Sequence, residues 1–287
     1  MNYRIDIISR IKEKFVEMTG SEKRVAQFIL DDIESVSRLP IAKLAHEMAV
    51  SPATITRFAK SLGCDDVRDL KLSLAQSLSA GQRFINDVPD LDGIQGVYST
   101  IINALMVNRN VIDEKVLKKA ANWVSHARHT IVIGMGGGSS FVAQEVQHRL
   151  FRLGIPVTSY NDGLLVRMVT AAVEKNDVVI ALSLGGYTNE IIESVAIAKQ
   201  YGAKIIIVTQ ENTPLAKHAD ALLPIIVQEN DYIYKPTASR YVMLAAIDVL
   251  ATELGVSNQR HARDRLRRVK VALDSHRGGN NRQPLGD

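Results

Sequence analysis

Ile131-Val132-Ile133-Gly134-Met135-Gly136-Gly137-Gly138-Ser139-Ser140-Phe141 is the stretch that decides the fold of the larger part of this chain. A short apolar run reads as a buried strand. It runs into glycines, which let the backbone turn sharply and approach an anion closely. Serines then open a helix, whose first amides have no partner within the helix. A strand that ends in glycines and hydroxyls at a helix start is a cradle for a phosphate. Gly136, Gly137, Gly138, Ser139 and Ser140 are the candidate residues of its first wall.

The rhythm repeats outward from there. Val157, Val178 to Leu182, Ile205 to Val208 and Leu222 to Ile226 mark further apolar runs, most of them separated by helical patterns. Continuous apolar strands alternating with helices predict a parallel sheet covered on both faces, an α/β doubly wound domain. In such a sheet the strand-to-helix loops gather at the carboxyl ends of the strands. Ser183-Leu184-Gly185-Gly186-Tyr187-Thr188-Asn189-Glu190 follows another apolar run and again opens a helix with small residues and hydroxyls. Ser183, Gly185, Gly186 and Thr188 are therefore the candidate second wall, and the two loops converge on one phosphate.

Two commoner phosphate sites fit less well. No Gly-Lys-Ser/Thr follows the first loop, so it is not a Walker loop. Ser139 stands where the third glycine of a dinucleotide fingerprint belongs, although Asp162 after the second strand keeps a ribose contact open as an alternative. A merely tight strand-to-helix turn is the other alternative. No cofactor is expected.

The first part of the chain, to about Leu78, reads as all-helical. Lys23 to Leu30 forms a helix with Ser21 as its cap, Ile41 to Met48 one opened by Pro40, Pro52 to Leu62 a third and Asp69 to Leu78 a fourth. The middle pair has the short turn of a helix-turn-helix. Leu44, Met48 and Val50 face Ile55, Phe58 and Ala59, and Ala45 sits where the two helices approach. Ala49 fills the turn position usually held by glycine, at a cost in strain if its φ is positive. Ala53, Thr56, Arg57 and Lys60 recur at intervals of three and four and share a polar stripe. Arg57 there reaches guanine acceptors and Lys60 a phosphate. Ser51, Thr54, Thr56, Arg57 and Lys60 are the candidate DNA-binding residues, the alternative being an ordinary helical hairpin with a solvated face.

The domain reading that follows is a helix-turn-helix DNA-binding domain over 1–80, a linker and connecting helix over 81–115, the α/β domain over 116–256, and a basic C-terminal helix and tail over 257–287. Ser79-Ala80-Gly81 and Pro89-Asp90-Leu91-Asp92-Gly93 are the turn-rich boundary, with helices from Ile94 to Asn108 and from Glu114 to His126 after it. Asn258 to Arg277 carries Arg260, Arg263, Arg265, Arg267, Arg268 and Lys270. It reads as a dimer element with a solvated charged face, ahead of extra DNA phosphate contacts. Beyond Gly278 the composition predicts a disordered tail.

Composition sets the outer limits. The chain has 287 residues, enough for two domains, with 46% hydrophobic residues and a net charge of +4. Mild basicity permits nucleic-acid binding without demonstrating it. The single cysteine, Cys64, excludes an intrachain disulfide and a cysteine-based zinc site. No signal-peptide pattern opens the chain and no apolar stretch approaches the ~20 residues that span a bilayer, so a cytoplasmic protein without a membrane partner is expected.

Both halves resemble the RpiR family of bacterial regulators, which join a helix-turn-helix to a sugar isomerase (SIS) domain. Ser21-Glu22-Lys23-Arg24-Val25-Ala26, Val50 to Phe58 and Asp69-Leu70-Lys71-Leu72 carry the N-terminal likeness. Both phosphate loops, Thr213-Pro214-Leu215-Ala216 and Ser239-Arg240 carry the C-terminal one. The resemblance implies a flavodoxin-like SIS fold, double-stranded operator DNA as partner, a phosphorylated sugar as effector, and a homodimer or homotetramer. Asp231-Tyr232-Ile233-Tyr234 and Ile247 to Thr252 are most like members that repress hexose catabolism and respond to 2-keto-3-deoxy-6-phosphogluconate. Ser139 matches the serine of the family's first loop, and Ser183 and Thr188 match the ends of the second. Gly185 departs from an expected serine, and the first loop has one extra glycine. SIS domains also serve isomerases, for which Glu190 and His148 are the available bases. The attached helix-turn-helix favours sensing, so no enzymatic activity is expected.

Overall fold

A computed structural model describes residues 6–79, 93–227 and 238–277 of the chain. They fall into two compact units.

The first unit is helical throughout: α1 (Ile7–Lys14), α2 (Gly20–Asp31), α3 (Ile33–Arg38), α4 (Ile41–Glu47), α5 (Pro52–Ser61) and α6 (Val67–Ser79), with a short 3₁₀ turn at Phe15–Glu17. Their apolar faces meet in one core that holds Ile11, Val25, Ile29, Leu44, Ile55, Phe58, Leu70 and Leu74. The helix expected from Lys23 begins earlier, because Thr19 and not Ser21 is its cap. The Thr19 amide donates to Glu22 Oε2 at 3.0 Å and the Glu22 amide to Thr19 Oγ1 at 3.4 Å, a reciprocal capping box. Helices α1 and α3 have 8 and 6 residues, too few turns for an apolar period to stand out in the sequence.

Between α4 and α5 the chain turns through Met48 to Ser51. The Val50 amide bonds back to the Ala45 carbonyl at 3.0 Å and the Ala49 amide to that of His46 at 3.2 Å. Ala45 is buried against the facing helix, as its small size allows. Ala49 adopts φ +51°, the left-handed conformation the turn demands. An alanine is strained there by about 1 kcal/mol, because its Cβ crowds the following carbonyl.

The second unit comprises α7 (Gly93–Asn108), α8 (Glu114–Ser125), β1 (Thr130–Gly134), α9 (Gly137–Arg152), β2 (Val157–Tyr160), α10 (Gly163–Ala171), β3 (Val178–Leu182), α11 (Asn189–Gln200), β4 (Lys204–Thr209), β5 (Ala221–Pro224), α12 (Ser239–Ser257) and α13 (Gln259–His276). The strands form one parallel sheet in the order β2-β1-β3-β4-β5. Apolar strand residues alternate between two cores. Val132, Ile180 and Val208 pack with α8, α9 and α12, while Ile133, Val179 and Ile207 pack with α10 and α11. The apolar run from Leu222 to Ile226 yields a strand that ends at Pro224. Proline cannot donate to a ladder, and an edge strand such as β5 tolerates it.

The amino ends of β1 and β3 are stapled by an ion pair. Asp177 accepts from Arg128 Nε at 3.0 Å, from Arg128 Nη2 at 2.6 Å and from the Glu174 amide at 2.8 Å. Burial alone would raise the Asp177 pKa. The hydrogen bonds from Arg128 and Glu174, with the Arg128 and His129 charges, outweigh burial and hold it below the ordinary 3.8. Among the described residues no single helix is long and apolar enough to cross a membrane, and no cluster of three His, Cys, Asp or Glu side chains could hold a metal.

Two outcomes test these local assignments. Ala49→Gly relieves the left-handed strain but loosens the unfolded chain, so it should stabilise the first unit by up to about 1 kcal/mol in denaturant melts. Asp177→Asn should cost about 2 kcal/mol at neutral pH, because a charged, buried acceptor is lost. A depressed carboxylate pKa contributes stability above the unfolded value and loses it as pH falls through the folded one. The difference from wild type should therefore shrink in acid melts as pH falls below the ordinary 3.8, and vanish only below the depressed folded pKa.

Candidate phosphate cradle and DNA-reading helix

The sheet order creates a crevice. From β1 the chain crosses through α9 to β2 on one side, whereas β3 lies on the other side of β1. Helices α9 and α11, which follow β1 and β3, therefore pack on opposite faces of the sheet. The loops that lead into them diverge at the topological switch point, where ligands bind in open α/β sheets.

The first loop is compressed against its own helix. A Cβ on Gly134 would lie 2.4 Å from the Ser139 carbonyl oxygen. Gly136 caps α9 at φ +81° and no side chain satisfies the amides of the first turn. Ser139 is buried, and its hydroxyl makes no hydrogen bond among the described residues. Ser140 behaves differently. Its hydroxyl donates to the Gly134 carbonyl at 3.2 Å, so its proton closes the turn and is not directed at a ligand. Gly137 and Gly138 stand in the first turn, the latter beside Leu184 of the second loop.

The second loop is built on Ser183. That residue is buried at the end of β3, and its Oγ accepts the Gly186 amide at 3.0 Å, which leaves the hydroxyl proton to donate. Gly186 has φ +73°, and a Cβ there would meet Thr213 Oγ1 at 2.3 Å and Thr209 Oγ1 at 2.8 Å. Thr188 caps α11 by position, without a side-chain hydrogen bond to the helix. Gly185 is exposed, and a Cβ added to it would have only the Tyr187 ring nearby, at 3.9 Å. Nothing steric therefore demands glycine at that position.

A third loop joins them. A Cβ on Gly163, at the start of α10, would lie 3.2 Å from Met135 Cε and 3.9 Å from Glu190 Cγ. The carboxyl ends of β1, β2 and β3 thus adjoin. Asp162, the candidate ribose contact, instead accepts the Leu165 amide at 2.8 Å and caps α10. Glu190 stands at the rim, exposed in the first turn of α11. His148 is half-exposed within 3.9 Å of Glu145, and at 1.5 Å per residue it lies ~16 Å along α9 from the cradle. Sequence reasoning assigns no place to Thr209. Its hydroxyl is buried under the second loop and unpaired among the described residues. A threonine that ends an apolar strand carries no distinguishing signal.

In the first unit, α5 presents the other candidate surface. Ser51 Oγ accepts the Thr54 amide at 3.2 Å and lies 2.9 Å from Thr54 Oγ1. Thr54 is therefore a buried part of the cap and not of the DNA-facing surface expected for it. Ala53, Arg57 and Lys60 are exposed and Thr56 is half-exposed, its hydroxyl donating to the Pro52 carbonyl at 3.1 Å. Arg57 and Lys60 make no ion pair among the described residues. The stripe runs ~10 Å along the helix, within the ~12 Å width of a major groove.

Residues 5–81 match the helix-turn-helix domain of the rpiR family, and residues 124–253 match the SIS domain. The HTH-type transcriptional regulator HexR of Pseudomonas aeruginosa is 33% identical over 277 residues, covering 93% of this chain and 95% of that protein. This chain belongs to the RpiR family. HexR of Escherichia coli is 31% identical over 278 residues, 95% of this chain and 96% of that protein. Among solved structures, NanR of Vibrio vulnificus complexed with ManNAc-6P superposes with a TM-score of 0.60 at 23% identity, covering 96% of this chain and all of that one (100%). The sugar isomerase domain of an RpiR transcription factor from Sphaerobacter thermophilus gives 0.57 at 24% identity, covering 63% and 99%. These structures share the fold. As an RpiR-family member of the HexR type, the chain is a DNA-binding transcriptional regulator with an SIS domain. Asp231-Tyr232-Ile233-Tyr234, part of the finer likeness, lies outside the described residues.

The two glycines of the second loop should respond in opposite ways. Gly186→Ala forces a side chain into Thr213 at a positive φ and should lower stability by about 2 kcal/mol or more in thermal melts. Gly185→Ser meets no neighbour and should leave stability within about 0.5 kcal/mol of wild type.

Proposed function

We propose that this regulator represses sugar catabolism genes and that a phosphorylated sugar, bound where the loops after β1 and β3 converge, releases it from its operator. One observation carries the reading. Ser139 and Ser183 stand buried at neighbouring strand ends, each with a hydroxyl proton uncommitted among the described residues. Beside them, the first amides of α9 have no side-chain cap. Hydroxyl and amide donors with a helix N-terminus favour a dianionic phosphate. Gly136, Gly137, Gly138 and Gly186 supply backbone close to that phosphate, with Thr188 beside it. Ser140 and Gly185 shape the loops. The sugar then extends toward Met135, Gly163 and Glu190, which adjoin at the third loop. The likeness to hexose-catabolism regulators makes 2-keto-3-deoxy-6-phosphogluconate the first compound to try.

Regulation follows from linkage. A sugar phosphate that binds one arrangement of the protein better than the other shifts the DNA-binding equilibrium by that difference in affinity. On DNA, Arg57 reads guanine from the major groove, Thr56 and Ser51 approach the backbone, and Lys60 neutralises a phosphate. A homodimer or homotetramer places paired reading helices on paired half-sites. The reading is of a sensor and not of an enzyme, since the HexR proteins it resembles over most of its length are transcriptional regulators.

A thermal-shift screen of the full chain against phosphorylated sugars tests the effector. At 100 times Kd the right compound should stabilise the SIS domain by about 2.7 kcal/mol, and Ser139→Ala should abolish most of that shift. Absence of any shift across the screen would overturn the sensor reading. On DNA, Arg57→Ala should cost about 1–3 kcal/mol and relax specificity at one base pair. Lys60→Ala should weaken binding evenly and lower the salt slope by about 1. Equal loss on all sequences from Arg57→Ala would contradict the base-reading role.

A further inference from the structure

Helix α13 begins beyond residue 253, where the SIS match ends, and the chain bends by 109° between α12 and α13. Its 18 residues hold Arg260, Arg263, Arg265, Arg267, Arg268 and Lys270 against Asp264 and Asp274. That excess of four positive charges equals the net charge of the whole chain, +4, and the rest of the chain is neutral, 29 basic residues against 29 acidic. The basicity of the protein therefore resides in one helix. One side of α13 is anchored. Ala262 is buried, and Leu266 shares a groove with Leu153 of α9 and Thr252 of α12. A Cβ on Gly154, just past α9, would lie 3.1 Å from Arg265 Cγ and 3.2 Å from His261 Nε2. Arg265 thus covers the carboxyl end of α9, where a cation complements the helix dipole. The other side is open. Arg260, Arg263 and Arg267, spaced by three and four residues, form one exposed stripe with Arg268 beside it. None of these four has a hydrogen-bond or ion-pair partner among the described residues, whereas Lys270 is paired with Asp274. Arg263 and Arg267 line the groove over Leu153 and Val256, so their stems rest on apolar surface and their charged heads reach water.

We propose that this stripe holds the phosphate backbone of duplex DNA, outside the bases that α5 reads. Its length suits one strand. Arg260 to Arg268 rises ~12 Å along the helix, and a strand carries one phosphate per ~3.4 Å of duplex axis, so the stripe spans about three phosphates. Composition selects nucleic acid over an acidic protein. From Arg260 to Arg268 there is no aromatic and no exposed apolar side chain. Protein partners draw their affinity from such anchors, and exposed ion pairs add at most about 1 kcal/mol each. A polyanion releases its counterions when cations approach, so charge alone is enough. The unpaired stripe places DNA ahead of the dimer element that the charge run alone suggests. Asp264 stands exposed beside the stripe and opposes a phosphate there. The contact rests on the chain being a DNA-binding regulator and is independent of which sugar phosphate it senses.

Salt titrations of the full chain on a long duplex carrying a site selected from a random pool test it. Arg260→Gln, Arg263→Gln and Arg267→Gln in combination should lower the slope of log affinity against log salt by about 2–3, at ~0.9 per phosphate contact. Near physiological salt the same variant should bind on the order of 10- to 100-fold more weakly. Arg260→Lys, Arg263→Lys and Arg267→Lys in combination should retain the slope, because a phosphate needs only the charge. Asp264→Asn should tighten binding about 2- to 5-fold. All four positions are exposed, so circular dichroism melts should not move. The Gln variant should still reject a single base change in the site, whereas Arg57→Ala should not, which separates this contact from base reading by α5. An unchanged slope in the Gln variant would overturn the proposal. Weaker binding that the Lys variant does not restore would also overturn it, since α13 would then act through its shape. So would a change of mass by light scattering in the Gln variant, which would trace the loss to assembly.

Discussion

A methyl group on Gly134 would lie 2.4 Å from the carbonyl oxygen of Ser139, closer than two such atoms can approach. This close passage of strand end and helix start governs the second unit. It allows α9 to begin three residues after β1 ends, so the helix folds directly back over its strand. It buries Ser139 at the head of the sheet and turns the Ser140 hydroxyl inward onto Gly134. The second loop repeats the device with different atoms, the Gly186 backbone passing against Thr213 and Thr209. Both compressions occur where the sheet order reverses, and the free amides of a helix are therefore delivered to the one crevice the topology leaves open.

Paired and uncommitted polar groups are separated along the strands. The amino ends are held by the buried Asp177 carboxylate, which accepts two hydrogen bonds from Arg128 and one from the Glu174 amide. The carboxyl ends retain uncommitted hydroxyls and uncapped amides, which are costly in a folded protein unless something binds there. The helical unit divides its side chains in the same way. Ser51 and Thr54 cap α5, while Arg57 and Lys60 stand on its exposed side. The strain at Ala49 comes with a turn short enough to set α4 against α5.

Much of this is legible in the sequence, and the failures have specific causes. Continuous apolar runs such as Val178 to Leu182 read as buried parallel strands because both faces of the sheet are covered. Ser51-Pro52 marks the start of α5 because capping is local chemistry. Thr19 is masked by Ser21, which is equally able to cap and lies two residues closer to the apolar pattern; only the Glu22 reciprocity decides between them. Thr54 is drawn off the exposed stripe because its hydroxyl turns toward Ser51, a contact the helical spacing alone does not reveal. Ser140 cannot be told from Ser139, since a one-residue difference in helix phase determines which hydroxyl bonds back to the Gly134 carbonyl. The roles of Thr209, Thr213 and Gly163 exist only through contacts between loops distant in sequence, which no local pattern encodes.

The proposed regulation rests on coupling between sugar phosphate and DNA, and reciprocity offers its most direct measurement. A DNA fragment selected from a random pool by the full chain would be titrated by fluorescence anisotropy with and without the sugar phosphate found by thermal shift. The affinity for that sugar phosphate would then be measured on free and on DNA-bound protein. The account predicts that both affinities fall by the same factor, about 5- to 150-fold, and that Ser139→Ala removes the effect on DNA. Sugar-phosphate binding that leaves DNA affinity unchanged would contradict it.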